Sequence, residues 1–250
     1  MDKTETTVHF SVVVPVKDEA DNVVPLAREI AAAMAGLASH GAHEIIFIDD
    51  GSRDGTASQL LALRAEMPVL RIVQHARNLG QSRGVRTGVN AARGAIIVTL
   101  DGDGQNDPAD IPKLLAFFIA PDVEERLGMV AGERKKRQDN WRKRFASRIG
   151  NGVRRWLLGD TAKDTGCGLK AFRREAFLAL PYFDHMHRYL ITLMMREGYS
   201  VRFVDVGHRP RGAGRSKYGV WDRLIVGITD LLGVIWLKRR HRGPAEIKEL

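Results

Sequence analysis

Residues 95–105 read Ala95-Ile96-Ile97-Val98-Thr99-Leu100-Asp101-Gly102-Asp103-Gly104-Gln105, an apolar, β-branched run that stops on two carboxylates two positions apart, each followed by glycine. A short run of this kind, bounded by turn residues, predicts a strand buried in a parallel sheet. The pattern recurs at Phe10 to Val16 (FSVVVPV), Glu44 to Asp49 (EIIFID) and Val69 to Gln74 (VLRIVQ). Between the runs lie stretches with helical spacing, about Ala20 to Ser39, Gly55 to Glu66 and Gln81 to Ala92. Three strand-helix-strand units in succession predict an α/β architecture, a mostly parallel, doubly wound central sheet with helices on both faces.

Ligands of such sheets bind beyond the carboxyl ends of the strands. Three of those ends deliver acids: Pro15-Val16-Lys17-Asp18-Glu19, Asp49-Asp50-Gly51-Ser52 and Asp101-Gly102-Asp103-Gly104-Gln105. Any one cluster is explained by turns and helix caps. Three on one sheet edge repel one another unless a cation or a hydrogen-bonded ligand compensates them. Asp101, Asp103 and Gln105 offer the oxygen donors that Mg2+ or Mn2+ prefers, and such ions are commonly held by one or two carboxylates together with substrate phosphates. The phosphate loop Gly-x4-Gly-Lys-Ser/Thr is absent from the chain, and Gly166 to Ala171, which fits a loose dinucleotide pattern, follows no clear strand.

Beyond about residue 120 the pattern changes. A predicted strand near Met129 to Gly132 leads into residues 134–155, where ten Arg and Lys face a single acid, Asp139. That window accounts for the whole formal charge of +9, and the rest of the chain balances. A local excess argues against a general nucleic-acid coat and for an anionic partner of one segment. Within it Trp141, Phe145, Ile149, Val153, Trp156 and Leu157 recur at helical spacing, which predicts a basic amphipathic helix over about 140–158. A helix at His187 to Glu197, a strand at Val201 to Val206, a Gly/Arg-rich loop from Gly207 to Gly219 and a closing apolar helix complete the reading. His185, His187 and His208 show no metal-ligand spacing and read as surface or packing residues.

With 44% apolar and 28% charged residues the 250-residue chain is composed like an ordinary globular protein. One cysteine, Cys167, excludes an internal disulfide and suits a reducing compartment. The start, MDKTETTVHF, lacks an apolar core of signal-peptide length, so the expected location is cytoplasmic. Leu224 to Leu237 is the nearest approach to a membrane span, interrupted by Asp230 and followed by Lys238, Arg239, Arg240 and Arg242. It is too short to cross a bilayer and suits an interface or a partner.

The ordered segments VPVKDEADNV, IDDGSRDGT, RNLGQSRGVRTG, LDGDGQNDPADI, DTGCGLKAFRR and GRSKYG resemble glycosyltransferase family 2, from about Ser11 to Leu237. The later segments look most like its polyprenol-phosphate branch. The resemblance implies a GT-A-type nucleotide-sugar-binding fold and a metal-dependent, inverting transfer of one sugar, mannose or another hexose. The donor would be a GDP- or UDP-sugar and the acceptor a polyprenyl phosphate at the cytoplasmic membrane face. The Gln-x-x-Arg-Trp signature of processive members is missing, which favours one sugar per encounter. A single domain over 1–250 is expected, with a nucleotide-sugar half (1–120), an acceptor and membrane-facing half (121–237) and a basic tail (238–250).

By resemblance, Pro15, Glu19, Asp49, Asp50 and Asp101 contact the nucleotide sugar, and Asp101, Asp103 and Gln105 hold Mg2+ or Mn2+ with the diphosphate. Arg134, helped by Arg137 or Arg144, takes the acceptor phosphate. Arg209, Arg211, Arg215 and Lys217 lie on a loop that closes over the diphosphate, with Arg215 and Lys217 assigned to the leaving group. Asp164 belongs to the acceptor-sugar wall, or caps the following turn. Arg83 borders the nucleotide or sits on a helix surface. Cys167 and Lys170 depart from the family pattern, in which Gly and Arg are commoner. The expected partners are a nucleotide sugar, a polyprenyl phosphate, an anionic membrane surface and a separate membrane protein, with no nucleic acid. Two other functions fit the sequence: a glycosyltransferase with a soluble acceptor, and a non-catalytic membrane-surface or nucleic-acid adaptor using only the basic segment.

Overall fold

A computed structural model describes residues 8–134, 157–159, 164–210 and 220–243. Each β-branched run becomes a strand and each helical stretch a helix: β1 (Val8–Val16), α1 (Ala20–Ala35), β2 (Ala42–Asp49), α2 (Thr56–Glu66), β3 (Leu70–Gln74), α3 (Gln81–Ala91) and β4 (Ile96–Thr99). There follow α4 (Ile111–Ile119), β5 (Leu127–Arg134), β6 (Lys170–Arg173), α5 (Arg174–Ala179), α6 (Leu190–Arg196), β7 (Ser200–Val206) and α7 (Val220–Arg240). The described strands form one sheet in the order β3-β2-β1-β4-β6-β5-β7. It is parallel except at β6, which runs antiparallel to both β4 and β5.

Alternation along the strands builds two cores. Phe10, Val12, Val14 and Val16 of β1, with Ile45 and Phe47 of β2, pack with α1, α2 and α4 on one face. Val13 of β1, with Ile46 and Ile48 of β2, packs with α3, α5 and α6 on the other. Helices on both faces leave the strands no wet side, which is why they read as continuous apolar runs. Close packing of α3 depends on Gly88, where a Cβ would come within 2.3 Å of Val13 Cγ1.

The sheet direction positions the site. The carboxyl ends of β1, β2 and β4 share one edge because these strands are parallel. The reversed β6 begins at that same edge, since its first residue, Lys170, pairs with Thr99 at the end of β4. The ends of β5 and β7 arrive there too, as those strands run parallel to each other and β5 runs antiparallel to β6.

Several elements differ from the sequence expectation. The α4, β6 and α5 segments were not foreseen, and α6 begins at Leu190 rather than His187. His185 adopts a left-handed φ of 63°, and Met186–Arg188 forms a single 3-10 turn before the helix starts. The basic helix expected over about 140–158 lies outside the described residues except for Leu157 and Leu158, and most of the 207–219 loop and of the 238–250 tail lies outside them as well.

Candidate active site

The acids at the ends of β1 and β2 organise the first part of the edge. Asp49 is fully buried; its Oδ1 accepts from the Ser52 amide at 3.0 Å and its Oδ2 from Gln74 Nε2 at 2.8 Å. Asp50 accepts from the amides of Leu79 and Gly80, each at 2.8 Å, and lies 2.8 Å from His75 Nδ1. Both of its oxygens are therefore engaged by the loop that leads into α3. Glu19 accepts from Asn22 Nδ2 at 2.6 Å, while its own amide donates to Thr56 Oγ1. Beside these residues opens a hollow of about 540 Å³ whose lining includes Lys17, Arg53 and Arg77 together with Ser52, Gln74 and Asn78. Its three cations and no acid suit an anionic or hydrogen-bonding ligand, and none of the six was singled out from sequence.

The end of β4 carries the second part. Asp101 is fixed through its amide, which donates to Asn106 Oδ1 at 3.0 Å, and through its Oδ1, which accepts from Gln81 Nε2 of α3 at 2.7 Å. Asp103 accepts from the Gln105 amide at 3.1 Å, so the turn holds both carboxylates in one short loop. Burial, then the charge of Asp103, push the Asp101 carboxyl above its ordinary range, and Lys170 and Arg134 pull it back. Among the described residues no three His, Cys, Asp or Glu gather as a metal cage. Two crowded carboxylates with a polar neighbour fit an ion that takes its remaining ligands from a phosphate substrate.

Arg134 at the end of β5 and Asp164, distant in sequence, come together as a two-pronged ion pair. Arg134 Nε and Nη2 donate to Asp164 Oδ2 at 2.5 Å and Oδ1 at 2.8 Å. Both side chains are largely buried. The loop that follows approaches Asp101 so closely that a Cβ on Gly168 would lie 2.4 Å from Asp101 Oδ2. Lys170 is buried next to it and donates through Nζ to the Cys167 carbonyl. Burial pushes the lysine amine down from its usual value, against the pull of Cys167, Asp101 and Asp164. The Cys167 thiol is buried and pushed up, which makes it an inert packing group.

A cavity of about 250 Å³ lies between Asp101 and the 165–168 loop, lined also by Pro15, Gln81, Lys170, His187 and Arg188. His187 was read as an ordinary packing or surface residue. Its Nδ1 lies 2.7 Å from Ser82 Oγ, and burial with the charges of Arg188 and Lys170 lowers its pKa to about 3. It is therefore a neutral hydrogen-bonding wall of the cavity. Arg209 pairs with Glu29 and Asp107, and its amide donates to the Gln105 carbonyl. Arg83 lies over the Tyr182 ring at 4.2 Å. Arg137, Arg144, Arg211, Arg215 and Lys217 fall outside the described residues, as do Trp141 and Trp156.

Residues 11–180 match the model of glycosyl transferase family 2. The chain belongs to that family of glycosyltransferases. Among its relatives, dodecaprenyl-phosphate galacturonate synthase of Rhizobium johnstonii is 34% identical over 95% of this chain and 70% of its own length. Undecaprenyl-phosphate 4-deoxy-4-formamido-L-arabinose transferase of Edwardsiella ictaluri is 33% identical over 86% of this chain and 64% of its own. The chain thus spans about two thirds of the length of these relatives. Glucosyl-3-phosphoglycerate synthase from Mycobacterium tuberculosis, solved with Mn2+, uridine diphosphate and phosphoglyceric acid, superposes with a TM-score of 0.66 at 18% identity, covering 94% of this chain and 80% of that one. The expected GT-A-type architecture is thereby confirmed.

Proposed function

We propose that the protein transfers one sugar from a GDP- or UDP-sugar to a polyprenyl phosphate at a membrane surface, with inversion. The observation that carries the reading is the meeting, on one sheet edge, of the Asp101 and Asp103 carboxylates with the Arg134–Asp164 pair. The first is a diphosphate-side feature and the second a phosphate-side one. Support for the acceptor comes from the two relatives, whose names specify dodecaprenyl and undecaprenyl phosphate. Support for Mg2+ or Mn2+ comes from the Mycobacterium enzyme solved with manganese.

The residues divide the work by charge. The hollow at Lys17, Arg53 and Arg77 takes the nucleoside end of the donor, near the Asp49 and Glu19 turns. Asp101, Asp103 and Gln105 would hold Mg2+ or Mn2+, which would supply positive charge to neutralise the donor diphosphate. The acceptor phosphate has a second pKa of about 6, so it is already a nucleophile at neutral pH and no side chain has to remove a proton. Asp164 holds the Arg134 fork in place through Nε and Nη2, which leaves the Nη1 donors for the acceptor phosphate. Arg137 or Arg144 is assigned to the acceptor phosphate beside Arg134, and Arg215 and Lys217 to the leaving diphosphate. Attack of the phosphate oxygen on the anomeric carbon, opposite the departing diphosphate, converts an α-linked donor into a β-linked product. Catalysis is then a matter of bringing two anions together and stabilising the one that leaves.

Calorimetric titration of uridine and guanosine diphosphates tests the donor half of this reading. The wild-type chain should bind one of them tightly only with Mn2+ present, and Asp103→Asn should lose at least about tenfold, or about 1.4 kcal/mol, of that affinity. Binding that ignores both the metal and the substitution would remove Asp103 from the site.

A further inference from the structure

Arg209, just beyond the end of β7, is grouped by resemblance with the loop cations that face the diphosphate, but in the fold its guanidinium is already engaged. Nη1 donates to Glu29 of α1 at 2.6 Å and Nη2 to Asp107 Oδ1 at 2.8 Å, partners 180 and 102 positions away in the chain. The Arg209 amide donates to the Gln105 carbonyl at 2.9 Å, and the Gln105 amide in turn donates to Asp103 Oδ1 at 3.1 Å. Two residues earlier, the Gly207 amide donates to Asp110 Oδ2 at 2.7 Å. Asp107 also caps the short 3-10 turn Pro108–Asp110 through the Ala109 amide at 3.0 Å, so the carboxylate that Arg209 grips is fixed to the backbone that leaves the 101–105 turn. The tip of that turn stands clear of the rest of the protein: a Cβ on Gly104, whose φ is 74°, would meet nothing within 4 Å among the described residues. Its placement therefore depends on the bonds at its ends, from the Asp101 amide to Asn106 and from the 207–209 segment to Gln105 and Asp107.

We propose that Arg209 is a positioning residue for the divalent-cation site: it ties α1 to the exit of the 101–105 turn and thereby sets the Asp103 carboxylate for Mg2+ or Mn2+. This role rests on the assignment of the ion to Asp101, Asp103 and Gln105 in the proposed reaction. The path is short. Asp107 and Glu29 hold the guanidinium, the Arg209 amide holds the Gln105 carbonyl, and the Gln105 amide holds Asp103. Groups that orient metal ligands without touching the ion govern its affinity in this way. The position calls for a planar fork, because one guanidinium spans carboxylates from two elements where a lysine ammonium is a single point of charge. Exposure separates the role from a contribution to folding. The Arg209 side chain is 42% exposed, and exposed ion pairs add little to stability. Arg202 of β7 offers the matching control, since it forms an exposed pair with Glu124 at 2.8 Å that has no bond to the turn.

The test is titration of Mn2+ into the full chain, with saturating uridine diphosphate and separately with guanosine diphosphate, the free ion being counted by electron paramagnetic resonance. Wild type should bind one ion with one of the two nucleotides. Arg209→Ala should bind it about tenfold more weakly, the scale of loss when a group that orients metal ligands is removed. Arg209→Lys, which keeps the charge but cannot grip both carboxylates, should fall between them. Arg202→Ala should keep the wild-type affinity, and thermal unfolding without metal should be alike in Arg202→Ala and Arg209→Ala. An unchanged Mn2+ affinity in Arg209→Ala overturns the proposal. So does a loss that Arg202→Ala reproduces, or one that accompanies a fall in thermal stability seen in Arg209→Ala alone. A wild-type chain that binds no Mn2+ with either nucleotide overturns the metal assignment and the role of Arg209 with it, whereas a bound ion indifferent to Arg209 overturns that role only.

Discussion

Gly168 has no room for a side chain, because the atom that alanine would add falls 2.4 to 2.7 Å from all three carboxyl atoms of Asp101. Gly168→Ala should therefore move that carboxylate and lower transfer at least about a hundredfold, a displacement effect of the kind that misplaced catalytic groups show. At Gly166 the added atom would meet Arg134 Nη2 at 3.3 Å, a contact the guanidinium can relieve by shifting slightly. Gly166→Ala should be much milder, and steady-state rates of the two variants side by side decide the matter. His187 yields a second prediction at this scale. Its folded pKa of about 3 lies below the ordinary 6.5, so below pH 6.5 the unfolded chain takes a proton that the folded chain refuses. Stability should be untouched above that pH and fall as the pH drops from 6.5 towards 3, by at most about 1.4 kcal/mol per unit from this group. Urea unfolding of wild type and His187→Gln near pH 7 and pH 5 measures it; the variant should lose less stability on acidification. Asp101 and Asp103 were legible in the sequence because a strand end announces them. His187 was not, since its partner Ser82 lies 105 positions away and only the fold brings them together.

At the scale of elements, Glu44 ties four pieces of chain together. It accepts from Ser11 of β1 at 2.6 Å and from the Arg93 amide in the turn before β4 at 2.6 Å, and it pairs with Arg71 of β3. Burial pushes its carboxyl up, but the hydrogen bonds from Ser11, Arg93 and Arg71 outweigh it and hold the pKa below the ordinary value. The stability it contributes is therefore present above the unfolded value and lost as the pH falls through the folded one. Glu44→Ala leaves the Ser11 hydroxyl and the Arg93 amide short of an acceptor and should cost about 3 kcal/mol in urea unfolding at neutral pH. The parallel half of the sheet was legible because β1, β2 and β4 carry apolar runs, residues 12–14, 45–48 and 96–98, that are buried on both faces. The β6 strand was not: Lys170-Ala171-Phe172-Arg173 is four residues with a cation at each end, and β4 and β5 on either side make it a strand. The single apolar run of Leu224 to Leu237 likewise concealed that α7 divides it between a packed face and an open one.

For the whole molecule, charge and topology converge on one edge. The sequence places the entire formal excess of +9 in residues 134–155, a window that begins on Arg134, the last residue of β5. Because β5 ends beside the start of β6, Arg134 lies on the same edge as Asp101 and Lys170. A donor diphosphate and an acceptor phosphate are the ligands proposed for that edge. The central claim is tested most directly by incubating the purified chain with labelled nucleotide sugars, Mn2+ and a polyprenyl phosphate, and counting label in the lipid phase. The account predicts one labelled sugar per lipid from a single preferred donor, with the signal lost in Asp103→Asn. Lipid that stays unlabelled with every donor, or labelling that survives Asp103→Asn, would contradict it.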